Sequence, residues 1–307
     1  MAIALSSGRT RSRVATPSLR RTLTGWGFIA PAAIVVIGLT IFPAIWAAWL
    51  STQKTDFIVK GRSVGLDNYR TMVDDPRVWQ AVKNTLFYTV LFVPSSMILG
   101  LLLALALNQP LKMKGFYRTC IFVPFVASAA ATGILATFVF NKDFGIANDV
   151  LDAVGVDRQP FFQSPSQAMI LLVLISLWGS VGFNVVVYLA ALQDIQGDVI
   201  EAAKVDGAYR WSIFRHVVLP SLTPVNVFAA VWGVINSLQF FDLIITTTNG
   251  GPVGKTNSVV FLLFQVAFLK AHKYGYGAAI AVSLAVVSLL IALVMVAYSK
   301  RSGRSAF

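Results

Sequence analysis

The sequence has little cysteine, little histidine and little charge. Its single cysteine, Cys120, excludes an internal disulfide framework. The two histidines, His216 and His272, lie far apart, and no His, Cys or carboxylate group has the spacing of a metal site. Gly-rich phosphate loops, dinucleotide fingerprints and the G-x-S-x-G motif are also missing. We therefore expect this chain to be no enzyme and to hold no cofactor of its own.

Charged residues make up only 12% of the 307 residues, whereas hydrophobic residues make up 56%. An average soluble domain carries about 25% charged residues. So few charges cannot cover a soluble globule of this size, but lipid can cover apolar surface instead. Composition therefore predicts an integral membrane protein. The net charge of +12 does not indicate nucleic-acid binding, because the basic residues lie mostly at the ends of apolar runs.

Six uncharged runs are long enough to cross a bilayer, which takes about 20 apolar residues. They predict an all-α fold with six transmembrane helices, over residues 25–50, 85–107, 119–140, 168–192, 222–241 and 274–299. We expect the fifth helix to extend a little further and to carry Asp242 near its end. A seventh apolar run, residues 258–269, is too short to cross and is expected to be interfacial or re-entrant. Pro94 and Pro124 predict kinks in the second and third spans.

Six spans place both termini on the same side of the membrane. That side carries 14 of the 25 Lys and Arg residues in 67 residues, against 11 in 88 on the other side. The positive-inside rule therefore predicts that both termini are cytoplasmic. A cleaved signal peptide is the alternative for the N-terminus, but the first run is long and no small-residue cleavage site follows it.

The predicted organisation has five parts along the chain. They are a disordered basic cytoplasmic tail (1–24), a first transmembrane helix (25–50), an extracytoplasmic loop (51–84), a five-helix core (85–299) and a cytoplasmic tail (300–307). The core contains a cytoplasmic loop over residues 197–220.

This cytoplasmic loop is the most informative segment of the sequence. Asp198 is a candidate N-cap, and Glu201, the only glutamate in the chain, follows three residues later as in a capping box. Gly207 can adopt the left-handed conformation that ends a helix. The spacing of Trp211 and Phe214 predicts a second, amphipathic helix. Because a helix–turn–helix this small cannot bury its own apolar face, we expect it to need a partner.

The loop resembles the EAA loop of the inner-membrane permeases of binding-protein-dependent ABC importers. The residues that match at the family's spacing are Glu201, Ala202, Ala203, Asp206, Gly207, Ala208, Phe214, Leu219 and Pro220. The resemblance implies the type I importer permease fold and a bacterial inner-membrane location. It also implies that these residues form a coupling helix that docks onto a cytoplasmic ATPase.

The resemblance implies partners as well. These are a second homologous permease, two ATPase subunits that use ATP and Mg²⁺, and an extracytoplasmic binding protein that delivers the substrate for alternating access. A second pattern resembles the first-subunit type of the maltose- and glycerol-phosphate-type sugar permeases. It comprises Phe241, Asp242, Asn249, Gly250, Gly251, Pro252, Thr256, Ala267, Phe268 and the run Gly275, Tyr276, Gly277 and Ala278. That branch implies a sugar, a related polyol or a sugar phosphate as substrate.

Polar side chains within spans are costly in lipid and usually face the bundle interior. Candidates for a substrate path are Asn184, Tyr188, Trp232, Asn236, Gln239 and Asp242. The last four are expected to form one stripe along the fifth span, because their spacing follows the helical repeat. The alternative for these residues is interhelical packing. The alternative function is a secondary transporter or channel, which usually buries several ionisable residues, whereas here only Asp242 qualifies.

Overall fold

A computed structural model describes residues 19–55, 61–269 and 272–301. The described chain is almost entirely helical. Its helices are α1 (Leu19–Val36), α2 (Phe42–Leu50), α3 (Asp67–Asp74), α4 (Pro76–Leu107), α5 (Lys114–Val126), α6 (Ala129–Val139), α7 (Ile146–Ala153), α8 (Ala168–Asp194), α9 (Gly197–Val205), α10 (Arg210–Ile213), α11 (Leu219–Ser221), α12 (Thr223–Leu238), α13 (Asp242–Thr246), α14 (Val259–Phe264) and α15 (Tyr274–Arg301).

Short irregular elements join these helices. Five-residue π-helical segments follow α1, α10 and α14, over Ile37–Ile41, Phe214–Val218 and Gln265–Leu269, and a 3-10 turn covers Phe161–Gln163. Two two-residue strands, β1 (Gln53–Lys54) and β2 (Arg62–Ser63), pair antiparallel. This small hairpin is the one departure from the predicted all-α fold within the described residues.

The chain divides into two compact units, Met1–Trp49 and Leu50–Phe307. In the first unit, α1 begins at Leu19, so residues 19–24, predicted to belong to a disordered tail, are helical. Leu and Arg, which are good helix formers, dominate this stretch. Residues 1–18 of the predicted tail, and 302–307 of the C-terminal tail, lie outside the described residues.

Among the described residues, four helical stretches are long and apolar enough to cross a membrane by themselves: Trp26–Leu50, Pro76–Leu107, Ala168–Asp194 and Tyr274–Ala297. Two bent pairs also qualify if each pair is one span. Helices α5 and α6 meet at 96°, and the stretch Arg210–Ser221 meets α12 at 63°. The described chain thus has four to six spans, and the predicted six are reached only with both bent pairs.

Several predicted boundaries move in the structure. The extracytoplasmic loop predicted over 51–84 contains α3 and the first turns of α4. Helix α4 begins at Pro76 because Asp75 caps it, its carboxylate accepting a hydrogen bond from the backbone N–H of Arg77. The third span breaks between Val126 and Ala129 rather than kinking at Pro124 alone, while Pro94 leaves α4 unbroken.

Small residues let the long helices approach each other closely. A Cβ placed on Gly100 of α4 would lie 2.5 Å from the Cβ of Asn184 on α8. A Cβ on Gly182 of α8 would lie 2.5 Å from the carbonyl oxygen of Ile121 on α5. Lipid tails are as apolar as side chains, so such close packing, rather than hydrophobic exclusion, holds membrane helices together.

Three clusters of buried side chains form the interior of the described part of the second unit. One surrounds Tyr88, whose ring stacks on that of Phe240 with the centroids 3.9 Å apart. A second joins α4, α8 and the stretch after α10, around Tyr188 and Leu222. The third joins the start of α4 to α14 and α15 through Val78 and Ile280. The second cluster supports the loop predicted to couple to a partner.

Candidate functional site

The segment 197–221 folds as the predicted helix–turn–helix. Helix α9 ends at Val205, and Gly207 adopts a left-handed conformation with φ +80°. The N–H of Gly207 donates to the carbonyl of Lys204 at 3.0 Å, and that of Ala208 to the carbonyl of Ala203 at 2.9 Å. This pair of hydrogen bonds is a Schellman motif, which satisfies the last carbonyls of the helix and reverses the chain. The predicted role of Gly207 as a helix terminator is confirmed.

The predicted capping box is wrong. Gln196 is the N-cap of α9, Asp198 lies in the first turn, and no side-chain hydrogen bond caps the helix. The reason is that Gly197 already adopts helical geometry, so the helix begins before Asp198. A carboxylate in the first turn still stabilises the helix through its dipole.

The residues of the EAA-like pattern divide into a packed set and an exposed set. Ala203, Ala208 and Phe214 pack against the cluster around Tyr188. The exposed set is Glu201, Ala202, Asp206, Gly207, Leu219 and Pro220. Apolar side chains lie among the exposed ones, and Val205 is 88% exposed, with Tyr209 and Trp211 also exposed. One side of this segment is therefore packed against the protein interior, and the other exposes apolar and aromatic side chains among charged ones, which is the character of a docking surface.

The segment after α13 carries the middle part of the second sequence pattern, from Asn249 to Thr256, and forms a hydrogen-bonded loop. Thr256 is fully buried and donates to the carbonyl of Gly251 at 2.6 Å. Asn84, on α4, is buried and donates to the carbonyls of Gly254 and Asn257 at 2.8 and 2.9 Å. The sequence did not point to Asn84, because its partners lie about 170 residues away.

The predicted stripe on the fifth span is present in part. Trp232, Asn236 and Gln239 are all exposed on one side of α12 and its C-cap. Asn236 also donates to the carbonyl of Trp232 at 2.8 Å. The extension to Asp242 is wrong, because α12 ends at Leu238 and Asp242 begins the separate helix α13.

Asn184 and Tyr188 are buried in this chain instead of lining an open surface. Tyr188 is 1% exposed and its hydroxyl donates to Oδ1 of Asn226 at 2.8 Å. Asn184 fills the close approach to Gly100. The contacts of both residues are those of interhelical packing, the alternative that the sequence left open.

Aromatic rings that the sequence did not single out surround Trp232. The ring centroid of Phe183, on α8, lies 5.4 Å from that of Trp232 and 5.5 Å from that of Phe125 on α5. Phe125 in turn lies 5.4 Å from Phe122. Trp232, Phe125 and Phe122 are exposed. The spacing of these residues along the sequence does not predict the cluster, because its rings come from three different helices.

Comparison with known proteins identifies the family. Residues 96–304 match the family described as the inner membrane component of binding-protein-dependent transport systems. A lactose transport system permease protein of Rhizobium radiobacter is 33% identical, over 90% of this chain and 93% of that protein. A glycerol-3-phosphate transport system permease protein of Agrobacterium fabrum is 32% identical, over 86% of this chain and 90% of that protein.

The fold is similar to a solved structure of a bacterial alginate ABC transporter in complex with its alginate-bound periplasmic protein. The TM-score is 0.81 with 25% sequence identity, over 93% of this chain and 97% of that chain. The family match covers more than half of the described chain, and both relatives exceed 30% identity over most of their length. The chain therefore belongs to the inner membrane components of binding-protein-dependent transport systems, as a permease subunit of an ABC importer and not itself an enzyme.

Proposed function

We propose that this permease imports a sugar, a related polyol or a sugar phosphate, as one half of a pair with a second, homologous permease. The observation that carries the proposal is the helix–turn–helix over 197–221, which exposes Val205, Tyr209 and Trp211 while its other side packs into the buried cluster around Tyr188. Two ATPase subunits that bind ATP and Mg²⁺ dock there from the cytoplasm. An extracytoplasmic binding protein delivers the substrate from the other side.

The proposed orientation places both termini and this helix–turn–helix in the bacterial cytoplasm. The excess of Lys and Arg on that side supports it. The loops over 51–75, 140–167 and 242–273 then face the binding protein. We assign ATPase coupling to the residues of the EAA-like pattern. Glu201 and Ala202 are its main contact residues, and Gly207 forms the turn.

The proposed substrate class is supported by two kinds of observation. The relatives named above transport lactose and glycerol 3-phosphate, and the similar solved structure belongs to a transporter of alginate. In this chain, Asn236 and Gln239 offer amide groups beside the exposed ring of Trp232. Amides hydrogen-bond to sugar hydroxyls, and an aromatic face stacks on the apolar face of a sugar ring.

The test is reconstitution of the whole transporter in proteoliposomes with its own binding protein. Uptake of radiolabelled lactose, maltose and glycerol 3-phosphate is measured beside ATP hydrolysis. We expect uptake of at least one of the three, dependent on ATP and on the binding protein. Hydrolysis without uptake of any of them would overturn the substrate class, and failure to recover an ATPase with the permease would overturn the coupling assignment.

A further inference from the structure

A groove of about 490 Å³ lies between α5 and α8. Its volume is within the range of small-molecule sites, roughly 300 to 1,000 Å³. Gly182 lines its inner end, and Gln193 lines its other end, about 16 Å further along α8 at the helical rise. In the proposed orientation, the Gln193 end opens toward the cytoplasm.

The groove has aromatic, aliphatic and polar parts in order along its length. The ring of Phe122 and the side chains of Val186 and Leu189 form its walls, while Arg118 and Gln193 lie toward its open end. Arg118 and Gln193 are exposed, and the side chain of neither makes a hydrogen bond or an ion pair with another residue in the described part of the chain. Both side chains are therefore available to donate hydrogen bonds to a ligand.

The inner end of the groove joins the proposed substrate path. Phe122 lies in the chain of ring contacts that passes through Phe125 and Phe183 to Trp232. Trp232 begins the stripe that continues to Asn236 and Gln239. Contacting aromatic rings on three helices thus link the inner end of the groove to that stripe.

The residue composition of the groove differs from that of a helix surface that contacts only lipid. Along α15, every exposed residue from position 281 to 297 is Ala, Val or Leu. The groove instead combines an aromatic face with a guanidinium, an amide and the hydroxyl-bearing Thr119. Planar hydrogen-bond donors beside an aromatic face are suited to a sugar ring, since the ring has an apolar face and polar edges.

We infer that the α5–α8 groove is a carbohydrate-binding site on the cytoplasmic half of the substrate path, which rests on the proposed function. Phe122 stacks on the sugar ring, and Arg118 and Gln193 donate hydrogen bonds to its hydroxyl or phosphate oxygens. A substrate released from the stripe around Trp232 occupies this groove before it enters the cytoplasm.

The test uses the assembled transporter in proteoliposomes, with lactose, maltose and glycerol 3-phosphate as probes. The variants are Phe122→Leu, Arg118→Gln and Gln193→Leu. The controls are Phe116→Leu, matched to Phe122→Leu, and Lys114→Gln, which removes a basic side chain as Arg118→Gln does; both positions lie on α5 outside the groove. We expect each groove variant to lower uptake about fivefold or more, as the loss of one hydrogen bond or stacking contact predicts. The controls should transport at the wild-type rate.

Binding-protein-stimulated ATP hydrolysis separates a site defect from an assembly defect. It should stay within about twofold of wild type in the groove variants, because the helix–turn–helix is untouched. Wild-type uptake in all three groove variants would overturn this inference and leave the proposed function standing. Loss of the second permease from the purified complex would show that the groove is a subunit interface and would also overturn it. If the wild-type transporter takes up none of the three probes, the proposed substrate class falls and this site falls with it.

Discussion

The hydroxyl of Tyr276, at the start of α15, donates a 2.9 Å hydrogen bond to the carboxylate of Asp75, which caps the first turn of α4. The two residues are separated by 201 positions in the sequence. Arg77 completes the group, its guanidinium lying 2.7 Å from the same carboxylate oxygen. This contact ties the beginnings of two long helices together at the proposed extracytoplasmic side.

The Asp75 contact is expected to stabilise the protein equally at all pH values between about 5 and 8. Hydrogen bonds from Arg77 and Tyr276 lower the pKa of Asp75 to about 2, although partial burial opposes the shift. The usual pKa of Asp is about 3.9. Because the folded pKa is the lower one, the stabilisation is complete above about pH 4 and is lost as the pH falls toward 2.

Thermal unfolding of the purified protein should show a Tm difference between wild type and Asp75→Asn that is constant from pH 5 to 8 and shrinks below pH 4. Asp74→Asn, at the neighbouring exposed position, is the control, and a Tm difference that changes between pH 6 and 8 would contradict the assignment.

Gly207→Val is expected to weaken recovery of the ATPase without affecting membrane insertion. Apart from Gly207 and its two chain neighbours, no residue has an atom within 4 Å of a Cβ placed at this position, so the effect comes from the φ of +80° and not from a steric clash with a packed neighbour. A left-handed conformation costs a residue with a Cβ about 1 to 2 kcal/mol, and more for a β-branched one. Asn tolerates this conformation better, so Gly207→Asn should retain most binding. Co-purification of the ATPase measures the effect, with Gly197→Ala as control. Equal recovery with Val and Gly at position 207 would show that the turn is not needed for docking.

The proposed orientation predicts opposite labelling of two valines. Val205 and Val253 are both 88% exposed, one in α9 and one in the loop after α13. Each is changed to Cys in a Cys120→Ser background, which is required because Cys120 is exposed. A membrane-impermeant thiol reagent added to intact cells should label Val253→Cys at once and Val205→Cys only after permeabilisation. The reverse pattern would invert the topology and remove the coupling assignment.

Asn236→Leu and Gln239→Leu are expected to lower transport while leaving stability unchanged. Both side chains are exposed, and each lost hydrogen bond to substrate costs on the order of 1 kcal/mol, about a fivefold effect on uptake. Tyr188→Phe is the contrasting variant, since it leaves the buried Oδ1 of Asn226 without its 2.8 Å donor. It should lower the Tm and leave uptake by the assembled complex near wild type. The stripe would be packing surface if Asn236→Leu and Gln239→Leu both transport at the wild-type rate.

Gly100→Ala is expected to destabilise the protein, although alanine is the better helix former. Its Cβ would lie 2.5 Å from the Cβ of Asn184 and would force α4 and α8 apart. Gly179→Ala is the matched control, because nothing lies within 4 Å of the added Cβ there. It should raise stability slightly, by up to about 1 kcal/mol, through helix propensity alone. Thermal unfolding in detergent compares the two, and equal Tm values would contradict the tight α4–α8 contact.

The sequence by itself determined that the chain lies in a membrane, roughly where its long helices run, and that a helix–turn–helix follows the fourth of them. These features depend on composition, on run length and on local chemistry such as the left-handed turn at Gly207. The family pattern around Glu201 and Gly251 was also readable, because it depends on spacing within short segments.

Only the tertiary structure decided which faces of the helices pack and which remain open. In lipid, apolar side chains are stable both inside and outside the bundle, so hydrophobicity does not distinguish the two faces. Asn184 and Tyr188 therefore matched a substrate path in sequence but pack between helices, while the rings around Trp232 come together from three helices. The bend between α5 and α6, the bond from Tyr276 to Asp75 and the α5–α8 groove all depend on contacts between distant residues, which local sequence does not encode.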